Sequence, residues 1–420
     1  MDSYNLLVYI LAYIGFILVS FYMLGMAKHF KKGNYPSKTD KSVSIIIPAY
    51  NEEKSIERTI KSALSLDYPS EKLRIIVVDD GSKDKTFKIA QKCIAELEKA
   101  KDNHPDLIVL TKKNGGKGTA LNYGISKSKS DVIVTMDADT FVKPDSLKKM
   151  IGYFYSEKVM SVTPSIGIYN PKGFWQKIQH IEYYMSVFLR KSFGAVNAIH
   201  ITPGAFAAYR REFFLKHEGF DENNITEDIE LSLRIQSHHY IIENTPYAVV
   251  YTLCPRTFKQ FLAQRKRWYV GYLTNLWRYK GLFSPKYGAL GMVVLPAAII
   301  TLALAIVITV YSLIRGFLDI KDHLVILQAA GFNFNNMFEI NKFIIEQFLY
   351  RTFSQPIFIF AVIFILLLLV YLSYSRKTMG YKESIASNYV RFIIGYSLVY
   401  TLFWLISIFY IISGRRVKWK

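Results

Sequence analysis

Short β-branched apolar runs alternate with helix-forming segments from Lys41 to about Pro255, and this alternation constrains the fold more than any other feature. A run such as Val132–Thr135 is typical of a buried strand in a parallel sheet. Strands that alternate with helices predict one α/β domain, residues 41–255, with a doubly wound and mainly parallel sheet. Ligands of such sheets bind at the carboxyl ends of the strands, so the residues after each strand form the candidate site.

The same alternation locates the individual elements. Strands are expected at Val43–Ile47, Leu73–Val78, Leu107–Leu110 and Val132–Thr135. Helical periodicity predicts helices at Glu52–Leu66, Lys83–Lys101, Thr119–Ser128 and Ile229–Gln236.

Long uncharged stretches outside this domain predict membrane spans. Hydrophobic residues make up 51% of the chain and aromatic residues 15%, which is high for a soluble protein. Leu6–Leu24 is long enough to cross a bilayer, and the lysines that follow it favour an uncleaved anchor in residues 1–30 over a signal peptide. Three further spans are expected within residues 286–420, at Gly288–Tyr311, Pro356–Leu372 and Phe392–Ile412.

The lysines after the first span (Lys28, Lys31 and Lys32) place the α/β domain in the cytoplasm of a multi-pass cell-membrane protein by the positive-inside rule. The basic residues Arg376, Lys377 and Lys382 between later spans agree with that rule. Four spans would put the basic tail, residues 415–420, outside, against the same rule. The side of the C-terminus therefore stays open.

Two basic, aromatic-rich segments have amphipathic helical periodicity. The first carries Phe174, Ile178 and Ile181 on one face. The second is Phe258–Tyr279, within a predicted interface segment of residues 256–285. Such helices commonly lie in the membrane interface, although packing against the α/β domain would give the same pattern.

The net charge of +20 fits a membrane surface or phosphate-bearing ligands, because the basic residues cluster beside apolar segments. No zinc-finger or RNA-recognition signature is present, so nucleic acid is not expected as a partner. Cys93 and Cys254 are too few for a disulfide framework or a metal knuckle.

Paired acids follow the Val132–Thr135 strand. Asp137 and Asp139 flank the small Ala138, so both carboxylates can turn towards one hard cation, Mg²⁺ or Mn²⁺, that also holds a diphosphate. A strand-to-loop turn with solvated acids would have the same sequence. The two acids therefore indicate a metal site only in combination with the other motifs.

Polar loops also end the other strands. The sequences Pro48-Ala49-Tyr50-Asn51-Glu52 and Asp79-Asp80-Gly81-Ser82 can accept hydrogen bonds from a base or ribose, or can cap helices. The glycines and Lys117 of residues 114–118 stand at a helix N-terminus and favour a phosphate. This loop is not a Walker A motif, because Thr111 and Gly118 replace the required Gly and Ser/Thr; a P-loop kinase or ATPase is excluded.

Two motifs follow nearer the C-terminus. Thr226-Glu227-Asp228 opens a predicted helix, either as a cap with first-turn acids or with Asp228 as a general base. Within Gln264–Trp268, Arg267 offers a planar fork for a departing diphosphate. Trp268 offers a flat face for a sugar ring, and Gln264 can hydrogen-bond sugar hydroxyls. Without the other motifs, this segment would be interpreted as a basic interfacial helix.

Together the motifs PAYNE, DDGS, GGKG, DAD, TED and QRKRW resemble inverting, nucleotide-sugar-dependent family 2 glycosyltransferases, over about Ser42–Trp277. The group resembled includes the cellulose, hyaluronan, chitin and poly-N-acetylglucosamine synthases. The resemblance implies a GT-A fold, a cytoplasmic catalytic domain and a divalent metal.

The resemblance also implies roles for the motif residues of this chain. It implies nucleotide-sugar binding by Pro48, Tyr50, Glu52, Asp79, Asp80, Lys117 and Asp137, and metal binding by Asp137 and Asp139. It implies catalysis by Asp228 as the base with Glu227, and an acceptor and diphosphate site of Gln264, Arg267 and Trp268. The segment His200–Arg210 resembles the one that shapes the acceptor pocket, with Pro203 where Ser is more usual.

Three functional hypotheses remain at this point. The aromatic acceptor helix and the likeness to polymer synthases favour a processive synthase that elongates a β-linked polysaccharide. Four spans are few for a polymer channel, which favours transfer of one sugar to a lipid acceptor, as in ceramide glucosyltransferases with the same QxxRW pattern. A membrane scaffold that binds a nucleotide sugar without turnover is the third. UDP is expected from the resemblance, yet no residue distinguishes uracil from guanine.

Overall fold

The computed structural model describes residues 3–30, 35–100, 104–329, 342–353, 356–380, 386–415 and 417. These divide into two compact units. One comprises Met1–Leu24 and Leu295–Tyr371, and the other comprises Gly25–Val294 and Leu372–Lys420. The predicted basic positions Lys31, Lys32 and Lys382, and most of the basic tail, lie outside the described residues.

The second unit contains an eight-stranded sheet with the order β3-β2-β1-β4-β7-β6-β8-β5. The strands are β1 Val43–Ala49, β2 Leu73–Asp79, β3 Asp106–Thr111, β4 Val132–Met136, β5 Thr140–Val142, β6 Val159–Ile168, β7 Phe206–Arg210 and β8 Ile241–Thr252. The half formed by β3, β2, β1 and β4 is parallel throughout, as predicted. Beyond β4 the sheet is mixed, because β7 pairs antiparallel with both β4 and β6, and β5 with β8.

Helices connect and cover these strands. Their bounds are α1 Ser3–Phe30, α2 Ile56–Leu64, α3 Thr86–Ala100, α4 Lys117–Ser126, α5 Ser146–Ile151, α6 Phe174–Ala195, α7 Arg211–His217, α8 Glu227–Ser237, α9 Phe258–Arg278, α10 Leu295–Ala329, α11 Lys342–Phe353, α12 Pro356–Met379 and α13 Ala386–Ile412. A π-helical turn, Leu290–Val294, precedes α10. Helix α2 begins four residues later than predicted, and the chain before it turns at Asn51, which adopts the left-handed conformation (φ 56°).

The core of the second unit lies on both faces of the sheet. Alternate residues of β1 point to opposite sides: Ile45 and Ile47 belong to one buried cluster, and Ile46 to the other. Full burial of a side chain of this size contributes about 1.5–3 kcal/mol. Burial on both faces explains why these strands appear in the sequence as unbroken apolar runs.

Helices α6 and α9 pack against α13 within the second unit. Ile178 of α6, Phe261 of α9 and Phe403 of α13 form one buried apolar cluster with Tyr396. The apolar faces of the two amphipathic helices are therefore covered at this cluster by α13. Whether their remaining surface lies in a membrane interface stays a prediction.

Two helices among the described residues are long and apolar enough to cross a bilayer, judged by length and composition. They are Leu6–Gly25 and Leu290–Leu318, which coincide with the first two predicted spans. The other two predicted spans fall within α12 and α13, and the multi-pass topology stays a prediction.

Candidate active site

The loop between β4 and β5 carries the DAD acids and is held by neighbouring segments. The amide of Asp137 donates to the carbonyl of Ala205 (3.1 Å), and the Thr59 hydroxyl donates to the carbonyl of Ala138 (2.8 Å). These bonds connect the loop to the start of β7 and to α2. The two acids are thus fixed at the carboxyl end of β4, where sequence and topology predicted a site.

Lys117 of the GGKG motif contacts acids of two other predicted motifs, DAD and TED. Its Nζ lies 2.6 Å from Asp137 Oδ1 and 3.0 Å from Glu227 Oε1, with 10% of the lysine side chain exposed. Burial alone lowers the pKa of Lys117, but the charges of Asp137, Glu227 and Asp228 reverse this and raise it. The lysine is therefore a permanent cation among the acids of DAD and TED.

Asp228 lies next to this cation and is oriented by two backbone amides. Gly204 N donates to Oδ2 (3.0 Å), and Ile229 N donates to Oδ1 (2.9 Å). Burial and the charge of Glu227 raise the pKa of Asp228 to about 6, against the opposing effects of Lys117 and Arg267. A carboxylate with this pKa is ionised near neutral pH and is a stronger base than a solvated one.

Gly204 has no side chain, and this leaves room for Lys117 and Asp228 beside it. A Cβ atom at this position would lie 2.6 Å from Lys117 Nζ and 3.3 Å from Asp228 Oδ2. Any larger residue would displace a cation that two carboxylates already hold. Gly204 lies in the segment His200–Arg210 that the sequence connected with the acceptor pocket, but it was not singled out there.

The second DAD acid has an environment that suits a cation. Burial, together with the charges of Asp137 and Glu52, raises the pKa of Asp139 to about 7. Its Oδ1 accepts a hydrogen bond from the Thr252 hydroxyl at 3.3 Å. Within the described part of the chain, no three His, Cys, Asp or Glu side chains form a complete metal-binding group. Two carboxylates fit Mg²⁺ or Mn²⁺ when substrate phosphates supply further oxygens, which is common for Mg²⁺.

The DDGS acids are buried and hydrogen-bonded within the protein. Asp80 accepts from the amides of Gly115 (3.0 Å) and Gly116 (2.7 Å) and from Lys112 Nζ (2.7 Å). Asp79 accepts from the Thr111 hydroxyl (3.1 Å). In this structure Asp80 therefore shapes the glycine loop before Lys117. The prediction that Asp79 and Asp80 bind a nucleotide base stays a prediction.

The PAYNE residues end β1 at the same edge of the sheet. Pro48 is opposite Val78 of β2, and Tyr50 follows the strand. Glu52 accepts a hydrogen bond from the Ser55 hydroxyl (2.6 Å) and contributes to the negative charge around Asp139. The structure thus brings PAYNE, DAD and TED to one edge.

Helix α9 places the QRKRW residues beside the TED loop. Arg267 Nη1 donates to the carbonyl of Ile225 (3.0 Å), and its charge lowers the pKa of Asp228. Trp268 is half-buried, and the buried Oε1 of Gln264 has no hydrogen-bond partner among the described residues. Arg267 is therefore close enough to share the electrostatics of the candidate base.

A polar contact fastens α9 to the loop that carries Asp228. The buried Asn275 donates to Thr226 Oγ1 (3.0 Å) and accepts from Asn224 Nδ2 (2.8 Å). A Cβ at Gly271 would lie 2.2 Å from Thr226 Oγ1, so only glycine permits this approach. Helix α9 and the loop before Asp228 therefore pack closely against each other.

Sequence reasoning missed one conspicuous residue of the QRKRW segment. Arg265 is fully buried and pairs with Glu182 of α6. In the sequence it is one of several basic residues on an amphipathic helix, and no local pattern distinguishes it from its neighbours. Its partner is 83 residues away.

The fold is similar to that of a solved glycosyltransferase. Mannosyltransferase PcManGT from Pyrobaculum calidifontis, determined with GDP-Man and Mn²⁺, matches 70% of this chain and 86% of its own, with a TM-score of 0.51 and 22% sequence identity. At this identity the likeness shows the GT-A fold alone.

Curated relatives share more of the sequence. Poly-beta-1,6-N-acetyl-D-glucosamine synthase of Staphylococcus aureus (strain COL) is 32% identical over 231 residues, 54% of each chain. The Staphylococcus epidermidis protein of that name is 34% identical over 232 residues, again 54% of each chain. The chain thus spans about half the length of the curated relatives it matches.

Two family models match overlapping parts of the chain. "Glycosyl transferase family 2" matches residues 44–217, which include the PAYNE, DDGS, GGKG and DAD motifs. "Glycosyl transferase family group 2" matches residues 132–412, which include DAD, TED and QRKRW and cover more than half of the chain. The chain therefore belongs to glycosyl transferase family 2.

Proposed function

We propose that this protein is a membrane-bound, inverting glycosyltransferase that transfers a sugar from a nucleoside diphosphate sugar to a hydroxyl of a growing polysaccharide. The observation that carries the proposal is that Asp228, a partly buried carboxylate, lies within electrostatic range of two cations, Lys117 and Arg267. An inverting displacement needs one base and, opposite it, stabilisation of an anionic leaving group.

The residues divide the reaction between them. Asp228 takes the proton of the acceptor hydroxyl. At the same time, the oxygen of that hydroxyl bonds to the anomeric carbon of the donor sugar, and the bond between that carbon and the diphosphate breaks. Lys117 and Arg267 stabilise the negative charge that develops on the diphosphate. Trp268 and Gln264 orient the acceptor sugar, and Glu227 holds Lys117 in place at 3.0 Å.

Asp137 and Asp139 would hold Mg²⁺ or Mn²⁺, which supplies positive charge to the diphosphate when bound. Pro48, Tyr50, Glu52, Asp79 and Asp80 line the strand edge where the nucleotide would bind.

The proposed arrangement of the chain has four parts. They are an anchor in residues 1–30, a cytoplasmic catalytic domain in 41–255, an interface segment in 256–285 and a transmembrane region in 286–420.

The names of the staphylococcal relatives support a polysaccharide product and make UDP-N-acetylglucosamine the first donor to test. The experiment uses the full chain in detergent or lipid, Mg²⁺ or Mn²⁺, and a panel of labelled UDP- and GDP-sugars. Nucleotide release and product size are followed together. High-molecular-weight product from one donor is the expected result.

Two outcomes would overturn parts of the proposal. A lipid-extractable product with a single sugar would make the protein a lipid glycosyltransferase. Normal turnover by Asp228→Asn would remove the assigned base, whereas the expected loss is about 10²–10⁴-fold. Asp145→Asn is the matched control, since this half-buried acid makes no capping bond to its own helix and, among the described residues, pairs only with Lys149, outside the candidate site.

A further inference from the structure

A buried cation lies behind the aromatic ring of the QRKRW motif. Arg265 is 0% exposed, and its guanidinium carbon lies 4.2 Å from the centroid of the Trp268 ring. It also lies 4.9 Å from the ring centroid of Phe261, one turn earlier on α9. Cations at these distances are attracted to aromatic faces, more strongly when water is excluded. The Trp268 ring therefore rests on the guanidinium.

The guanidinium is held by a carboxylate from another helix. Arg265 Nη2 lies 2.5 Å from Oε2 of Glu182 on α6. A buried guanidinium without such a partner would be strongly unfavourable, so the position of Glu182 determines where the guanidinium can lie.

The carboxylate is in turn held by the C-terminal helix. Tyr396 of α13 donates its hydroxyl to Glu182 Oε1 at 2.9 Å, and this hydroxyl is also 3.2 Å from the hydroxyl of Tyr269 on α9. Each oxygen of Glu182 thus has a different partner, one from α9 and one from α13. Hydrogen bonds to a charged group are stronger and more directional than those between neutral groups.

We propose that Tyr396 and Glu182 are positioning residues that act through Arg265 to orient Trp268, and so fix the acceptor sugar in the site. This inference rests on the proposed function, in which Trp268 carries the acceptor. It gives α13, a helix that the sequence suggests only as a membrane span, a defined part in acceptor binding.

Tyr396→Phe in the full chain tests this chain of contacts, because it removes the hydroxyl and keeps the ring. The matched control is Tyr389→Phe, which changes a buried tyrosine of the same helix whose hydroxyl has no hydrogen-bond partner among the described residues. A lost hydrogen bond to a charged group predicts an increase of about tenfold in the KM for acceptor. The dissociation constant for the nucleotide sugar should match that of the control, and the thermal midpoint should fall only by the few degrees that loss of the Tyr396 hydrogen bond accounts for.

A second measurement needs no turnover. The fluorescence of Trp268 is obtained as the difference between each protein and its Trp268→Phe counterpart, and its quenching by acrylamide is measured. Tyr396→Phe and Glu182→Gln should both increase this quenching, whereas Tyr389→Phe should not. The quenching measurement separates the positioning of Trp268 from the proposed function. If the wild-type protein had no transferase activity, the proposed function would be contradicted, but the quenching of Trp268 could still be measured and compared.

Two results would overturn the inference. Quenching and acceptor KM that are the same in Tyr396→Phe as in Tyr389→Phe would show that the hydroxyl does not control the ring. A joint fall in thermal midpoint, donor affinity and kcat would show that the contact only supports the fold.

Discussion

Replacing Lys117 by methionine tests the electrostatics of the candidate site, because the side chain keeps its approximate length and loses its charge. The ammonium lies 2.6 Å from Asp137 and 3.0 Å from Glu227. At an effective dielectric constant of about 20, unit charges 3.0 Å apart attract by about 5.5 kcal/mol, and the cost of burying them offsets part of this. Removal of one partner from a buried pair costs about 3–5 kcal/mol, since the remaining charge is uncompensated.

The Lys117→Met protein should therefore unfold at a lower temperature, and its kinetics should change in two respects. The value of kcat should fall about 10²–10³-fold, because the cation proposed to stabilise the departing diphosphate is lost. Lys117 also lowers the pKa of Asp228, so its removal should move the acid limb of the kcat/KM profile to higher pH. Nucleotide release measured from about pH 5 to 8 gives both quantities.

Lys113→Met is the matched control for this variant, since Lys113 is an exposed lysine of the same loop and should tolerate the change. A folded Lys117→Met protein with reduced kcat and an unmoved acid limb would show that Lys117 does not act on Asp228 through its charge. A wild-type kcat would refute the proposed role of Lys117 altogether.

Three further predictions concern the same site. Because the pKa of Asp228 is raised to about 6, the deprotonated base and kcat/KM should increase as pH rises through this value; a profile that is flat there would exclude Asp228 as the titrating base. Gly204→Ala should lower kcat/KM by about 10²-fold, because the added methyl group displaces Lys117 and misplaced groups react slowly. Gly281→Ala, which meets no atom within 4 Å, is its control, and equal rates for the two variants would contradict the steric argument. EDTA should abolish nucleotide release and Mn²⁺ or Mg²⁺ should restore it, whereas full activity in EDTA would exclude a metal at the DAD acids.

The parallel half of the sheet could be predicted from sequence because β1, β2 and β4 are buried on both faces, and the half-buried edge strand β3 still contains a short apolar run. Strands β1, β2, β3 and β4 each extend one or two residues beyond the predicted ends. The strands of the other half, β5 to β8, could not be recognised in the sequence in the same way. Strand β6 contains Pro164, where its register against β8 shifts, and β8 mixes polar and apolar residues. Such irregular strands are defined by their partners and not by local propensity.

The acids of the candidate site could be singled out from the sequence because short motifs carry them, DAD at the end of β4 and TED at the start of α8. Their mutual distances could not, because Lys117 reaches Asp137 and Glu227 only after β4, α4 and α8 are packed. Gly204 illustrates the limit most clearly. Its importance lies in the space it leaves beside Lys117, whereas most loop glycines are present for the backbone conformations that they permit.

Lys117 and Arg265 have the same physical requirement, although only the first belongs to a predicted binding motif. Each is a buried or nearly buried cation paired with a carboxylate from a distant segment. Such pairs contribute little net stability, because the desolvation of both charges offsets most of their attraction. What they do provide is a fixed position, since neither partner can move without leaving the other unpaired. One pair fixes the cation beside Asp228, and the other fixes the guanidinium beneath Trp268. The candidate base and the proposed acceptor-binding ring are then positioned in the same way, and the second pair requires a helix from the C-terminal part of the chain.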